Sequence, residues 1–265
     1  MRKKWFGILL AAVAAGCLVG CGNTKETEKT EDSFANIQKA GELRIGTEGT
    51  YPPYSYHDED GNLTGFDVEI AKLVAEKLGV EANFIETKWD SMIAGLDAGR
   101  FDVIANQVGI TEERAQKYDF TEPYTYIHGV LIVHTDNEDI TRFEDIAGKK
   151  SAQTLTSNWA ETAEEYSAEV VGVEGFEQSV ELIISGRADV TINSEVALYD
   201  YMKQKPDAPI KKAALLDDPS IVAFPIRKGE TSLHEAVNHA LLELREEGKL
   251  TELSMEYFGA DITEE

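Results

Sequence analysis

Two cysteines, Cys17 and Cys21, are all that 265 residues contain, and both fall near the amino terminus. A disulfide framework, a thiolate metal site and thiol redox chemistry are thereby excluded for the body of the chain, which is long enough to bury a core without cross-links. Positive charge is also scarce: 25 Lys plus Arg stand against 49 Asp plus Glu, a net charge of −24. A polyanion repels phosphate backbones and offers no basic stripe to receive one, so nucleic acid is excluded as a partner. With 7 Pro and 21 Gly the composition is neither collagen-like nor that of a disordered chain. After the first twenty residues no run of about 18 apolar residues remains, which disfavours a membrane-spanning receptor or channel.

Catalytic equipment is missing too. There is no G-x-S-x-G elbow, H-E-x-x-H, G-x-G-x-x-G or P-loop; Gly148-Lys149-Lys150-Ser151 lacks the upstream glycine and places a second Lys where Ser or Thr is required. Five histidines show no metal-ligand spacing beyond His234 and His239, which share a helical pattern with an apolar stripe and read as solvated. Asp58 to Asn62 reads as a hairpin turn, since a calcium loop would need its glycine later and a distal Glu. No metal and no cofactor is expected.

What is present begins with an export signal. Arg2, Lys3 and Lys4 precede an apolar run from Trp5 to Val19 that is too short for a comfortable membrane span. The run ends in Leu18-Val19-Gly20-Cys21, which resembles the bacterial lipobox, where cleavage precedes the cysteine and the thiol is acylated. Ala14-Ala15-Gly16-Cys17 is a weaker second candidate. The reading is a lipoprotein signal over residues 1–20, lipidation at Cys21, and a flexible tether over 21–38, whose stretch Gly22 to Ser33 has no apolar residue to bury. The membrane is met only through that anchor, on the extracytoplasmic face.

The body alternates short β-rich runs with helical patterns, the mark of an α/β protein with a largely parallel sheet. Leu43 to Thr47 reads as a first strand and Asp67 to Leu78 as an amphipathic helix; Thr231 is expected to cap a late helix with apolar residues from Leu233 to Leu244. A near-repeat stands out: Gly99-Arg100-Phe101-Asp102-Val103 leads to Asn106-Gln107, and Gly186-Arg187-Ala188-Asp189-Val190 leads to Asn193-Ser194. Each copy leaves a helix at a glycine and presents an amide at the carboxyl end of a strand. Ligands of open α/β sheets sit beyond those ends, so two halves facing across a cleft are expected.

The remaining polar clusters suit recognition. Asn106 to Arg114 runs from a strand end across Gly109 into a helix start, where backbone N–H groups and Arg114 can converge on a small anion. Thr154 to Trp159 offers a second hydroxyl-rich helix start, in which Ser157 or Asn158 can cap and bind at once. Tyr51, Tyr54 and Trp89 can wall an apolar slot, or simply fill the core.

Gly65-Phe66-Asp67-Val68-Glu69-Ile70 and the helix that follows it resemble the signature of the extracellular amino-acid-binding proteins of ABC importers (family 3), and the likeness runs from about Gly41 to Phe258. Gly46 to Tyr51, Lys88 to Met92, Arg100 to Gly109 and Ser151 to Asn158 resemble its cystine-binding lipoproteins. The resemblance implies a periplasmic-binding-protein-like fold (type II): two α/β lobes, residues 39–126 with 224–260 and residues 127–223, joined by two hinge strands near Tyr124 to Gly129 and Ile221 to Pro225 that close on ligand. It further implies a monomer that takes up a polar amino acid, cystine foremost, and delivers it to ABC permease subunits without being an enzyme.

Carried over, Arg114 matches the arginine on the α-carboxylate, with Asn106, Gln107 and Gly109 beside it. Ser157 and Asn158 match the helix start of the second lobe, and Glu48, Tyr51 and Trp89 line the side-chain slot. Two departures concern the ammonium. Gly109 stands where many relatives have Ser, and Ser194, after Asn193, stands where most have Asp. Glu48 is then the candidate carboxylate for the ammonium, with Glu195 second. A dehydratase-like enzyme on the same fold, using Glu48 as its acid, and a tethered amino-acid sensor are the competing readings.

Overall fold

The computed structural model describes residues Asp32 to Glu265; the signal, Cys21 and the tether up to residue 31 lie outside the described residues. The helices are α1 (Ser33–Ala40), α2 (Phe66–Leu78), α3 (Met92–Asp97), α4 (Glu112–Lys117), α5 (Asn158–Glu165), α6 (Phe176–Ile184), α7 (Glu195–Gln204), α8 (Thr231–Glu246) and α9 (Lys249–Phe258). None is long and apolar enough to cross a membrane.

Residues 33–38 correct the tether. They form most of α1, where Asp32 accepts from Ala35 N (3.1 Å), Ile37 is buried, and Ser232 of α8 accepts from Phe34 N (3.2 Å). Phe34 and Ile37 supply the apolar contact that the preceding polar stretch lacks. A smaller correction falls on α8, which begins at Thr231 behind Glu230, with no side-chain cap. Its expected stripe holds: Leu233, Val237, Leu241 and Leu244 are buried.

Two five-stranded sheets form the two lobes. The first runs Glu81–Glu86, Glu42–Thr47, Val103–Ile104, Pro225–Arg227, Tyr118–Phe120; its first three strands are parallel and the last two pair antiparallel. The second runs Glu169–Gly172, Lys150–Gln153, Val190–Ser194, Gly129–His134, Ile210–Leu215, and again three parallel strands are followed by antiparallel ones. The antiparallel members follow from connectivity, because the chain enters and leaves the second lobe by paired strands, Thr125–Ile127 against Ser220–Val222.

Local chemistry sets the strand-to-helix turns that build the cleft. Gly65 has φ 124°, and a Cβ there would lie 2.3 Å from the Tyr54 carbonyl oxygen, so only glycine lets α2 start against that backbone. Asp67, one residue into α2, is fully buried, and it accepts from Gln107 N (2.6 Å), Gln107 Nε2 (2.7 Å) and Tyr124 Oη (3.0 Å). Gln107 has φ 52°, a left-handed conformation costly for a residue with a Cβ, and the carboxyl fixes it there. The family-like Gly-Phe-Asp stretch thus shapes the strand end that carries Asn106.

Candidate functional site

The carboxyl ends of the parallel strands of both lobes meet around a small cavity of about 40 Å³. Glu48 follows the strand Glu42–Thr47, and Asn106 follows Val103–Ile104 beside it. The Asn106 amide oxygen accepts from Glu48 N (2.8 Å) and Thr47 Oγ1 (3.2 Å), while Nδ2 donates to Glu48 Oε2 (2.7 Å). The backbone N–H of Trp89 also supports the carboxylate. Burial nevertheless dominates and pushes the Glu48 carboxyl up to about 7, and among the groups acting on it, Asn106, Trp89 and Asp90, none is a cation.

Trp89 walls the same cavity with 7% of its surface exposed, and its buried indole N–H has no acceptor among the described residues. From the second lobe come Ser157 and Asn158 at the amino end of α5. Ser157 caps the helix by accepting from Ala160 N (3.1 Å), which leaves the N–H groups of Asn158 and Trp159 without internal acceptors among the described residues. Asn193, the second member of the near-repeat, also reaches the cavity, so both strand-end amides, Asn106 and Asn193, face it as the repeat suggested.

Eight of the eleven ligand residues expected from sequence line the cavity: Glu48, Tyr51, Trp89, Asn106, Gln107, Ser157, Asn158 and Asn193. Gly109, Arg114 and Ser194 do not. Ser194 is buried, caps α7 by accepting from Ala197 N (3.0 Å), and lies 2.9 Å from Tyr54 Oη, so both sides of its hydroxyl are occupied. Gly109 gives its carbonyl to Arg114 Nη1 (3.0 Å) and bridges to Val222; a Cβ there would meet Ser220 Oγ at 2.8 Å, which makes its smallness a matter of close approach to a connecting strand. Arg114 is buried just behind the wall. Its guanidinium sits 5.7 Å from the centre of the Trp89 ring, and Nη2 donates to Thr156 O (2.8 Å), next to the amino end of α5. Glu195, the second ammonium candidate, pairs with Lys212 (2.5 Å) away from the cavity.

Gln153, Thr154 and Trp159, from stretches the sequence already marked, and Gly175, Phe176 and Ser179, which it did not single out as site residues, complete the wall. Gly175 and Phe176 follow the strand Glu169–Gly172 and open α6, the same strand-end-to-helix-start geometry that had drawn attention to Ser157.

The lobes touch all round the cavity. Tyr51 Oη donates to Asn193 Oδ1 (2.6 Å), Asp90 Oδ1 accepts from Thr156 N (2.9 Å) and Oγ1 (3.0 Å), and Lys88 pairs with Glu174 (2.5 Å). Paired lobes, strand-end amides and open helix ends around one polar cavity suit the binding of a small solute.

Comparison with known proteins makes the class definite. Residues 43–260 match the model of the bacterial extracellular solute-binding proteins, family 3. The L-cystine-binding protein TcyA of Bacillus subtilis is 43% identical over 99% of this chain and 100% of its own length. Among solved structures, an ancestral arginine-binding protein bound to arginine aligns with a TM-score of 0.78 at 33% identity, over 83% of this chain and 99% of that one. The L-cystine solute receptor of Neisseria gonorrhoeae, unliganded and open, is more similar in sequence at 45%, over 87% and 98%, yet scores 0.57. In this chain the two lobes are in contact across the cavity, a closed arrangement. The chain belongs to the bacterial extracellular solute-binding proteins, family 3, a group that works outside the cytoplasm.

Proposed function

We propose that this protein captures a polar amino acid, L-cystine foremost, between its lobes and hands it to the permease of an ABC importer, held at the outer face of the cell membrane by lipid on Cys21. The observation that carries this reading is Glu48, a half-buried carboxyl in the cavity wall with no cation beside it. An ionised carboxylate in such a place is costly until a cation arrives, and the ammonium of an amino acid is that cation. Its carboxylate goes to the amino end of α5, where the free N–H groups of Asn158 and Trp159 and the positive charge of Arg114 favour an anion.

Closure then follows from differential affinity. The contacts Tyr51–Asn193, Arg114–Thr156, Asp90–Thr156 and Lys88–Glu174 form only when the lobes meet, and a ligand touching both lobes adds to them. The closed outline is what a permease would recognise. Relatives named for cystine make that amino acid the first to test.

Calorimetric titration of the purified protein with a panel of amino acids tests the proposal. One polar amino acid is expected to bind far more tightly than the rest, and Arg114→Ala is expected to weaken it. Unaltered binding of every amino acid by Arg114→Ala would show that the cation is misassigned. A carboxyl titrating near 7 also suits general acid chemistry, the dehydratase-like alternative; recovery of the bound ligand unchanged by mass spectrometry separates capture from turnover.

A further inference from the structure

Two strands connect the lobes, and a third stretch of chain lies against them. Beyond α9, residues 259–265 run beside the first connecting strand, where Tyr126 N donates to Ile262 O (2.8 Å). The other edge of that strand is taken by Ser220–Val222. The connection is thus a two-stranded ribbon with a fastening on its free edge.

The stretch has no regular secondary structure, yet it is closely held. The hydroxyl of Ser254, fully buried in α9, donates to Ala260 O (2.8 Å) and accepts from Ile262 N (2.9 Å). Asp261 accepts from Thr263 N (2.9 Å), Thr263 Oγ1 (2.6 Å) and Thr251 Oγ1 (2.8 Å), and Thr263 is fully buried. Arg245 of α8 joins this stretch to the connection itself: Nη1 donates to Thr263 O (2.8 Å), while Nη2 donates to Pro123 O (2.6 Å), just ahead of the connecting strand. Asn238, also of α8, accepts from Glu122 N (2.6 Å) beside it.

All these bonds belong to the first lobe. Among the described residues no hydrogen bond ties residues 259–265 to the second lobe, and a groove separates Ala260 and Ile262 from Val196 and Tyr199 of α7. The first lobe therefore grips the connecting strand as far as Tyr126. On the returning side, Leu216 N already donates to Gly129 O (2.8 Å) in the second lobe, whereas Ser220 pairs with Ile127. The bend between the lobes is left to residues 127–129 and 217–219, the few positions that absorb the backbone rotation.

We propose that residues 259–265 are a hinge strap, and that Arg245 and Ser254 are positioning residues that set ligand affinity from outside the cavity by confining this bend. The inference rests on the reading of capture by lobe closure. Neither the strap nor these two residues line the cavity. With the strap loosened, the bend spreads into Thr125 and Tyr126 and open forms multiply. Closure must then order additional backbone, at a cost of about tenfold in the equilibrium for each residue fixed.

Two variants of the whole protein loosen the strap: Arg245→Met, which keeps the aliphatic stem and removes the bonds to Pro123 and Thr263, and Ser254→Ala, which frees Ala260 O and Ile262 N. Calorimetric titration with L-cystine, well below each melting temperature, is expected to show about tenfold weaker binding in each. X-ray scattering is expected to give a larger radius of gyration than wild type without ligand and the same radius with ligand saturating. A merely structural strap would lower the melting temperature alone, so wild-type affinity in both variants, or unliganded scattering identical to wild type in both, overturns the proposal. Failure of the wild type itself to bind L-cystine would count against the capture reading, and the unliganded scattering then decides the strap by itself.

Discussion

Replacing Glu48 by Gln keeps the shape of the side chain and removes its charge, and the consequences have opposite signs in the empty and loaded protein. Burial raises the carboxyl from its ordinary 4.5 to about 7. The folded chain therefore holds the proton through that window while the unfolded chain releases it, and stability falls as pH climbs from 4.5 towards 7. At about 1.4 kcal/mol per pH unit the penalty reaches about 3 kcal/mol at pH 8. Glu48→Gln escapes it, since the amide oxygen still accepts from Asn106 Nδ2.

The empty variant should then melt roughly 5 to 10 °C above wild type at pH 8 and close to it at pH 4.5. Asp67, also raised to about 7 by burial, contributes its own fall in stability over the same range, so the difference between variant and wild type isolates Glu48. In the loaded protein the order reverses. Removing the carboxylate from a buried ammonium costs about 2 to 5 kcal/mol, an affinity loss of about thirtyfold or more. Scanning calorimetry at both pH values and titration with the ligand read the two arms. A variant that melts with wild type at pH 8 and binds as tightly would refute the placing of an unpaired carboxylate opposite an ammonium.

Other outcomes are expected elsewhere. Tyr51→Phe deletes the hydroxyl that bridges the lobes to Asn193, which should weaken ligand about fivefold to tenfold and raise the radius of gyration of the unliganded protein in X-ray scattering by populating open forms. Gly65→Ala drives a methyl against the Tyr54 carbonyl, and urea unfolding should show a loss of about 2 to 4 kcal/mol. Asp67→Ala strips the acceptor from both Gln107 N–H donors and from Tyr124 Oη; a similar loss in urea is expected, with weaker ligand binding because the Asn106 strand end loses its anchor.

The parts of this protein legible in its sequence are those set by local periodicity. The helix α2, the stripe of α8 and the strand ends at Asn106 and Asn193 follow from spacing and from glycine stops, and the near-repeat pointed both amides at one cavity. What was not legible depends on distant partners. Ser194 reads as a ligand residue at its strand end, yet Tyr54, 140 residues away in sequence, takes its hydroxyl. Asp67 sits among apolar residues in α2, and only the fold shows that it exists to hold Gln107. The amino end of α6 carries no polar cap, because Gly175 has no side chain to accept from the first-turn N–H groups. Residues 33–38 read as tether because the helix is too short to announce itself without α8.

A crystal structure of the protein with L-cystine bound puts the site to the most direct test. An ammonium within hydrogen-bonding distance of Glu48 and a carboxylate on the amino end of α5 beside Arg114 is the expected result. A ligand lodged outside the interlobe cavity, or one whose carboxylate turns to Glu48 while the amino end of α5 stays unoccupied, would contradict it.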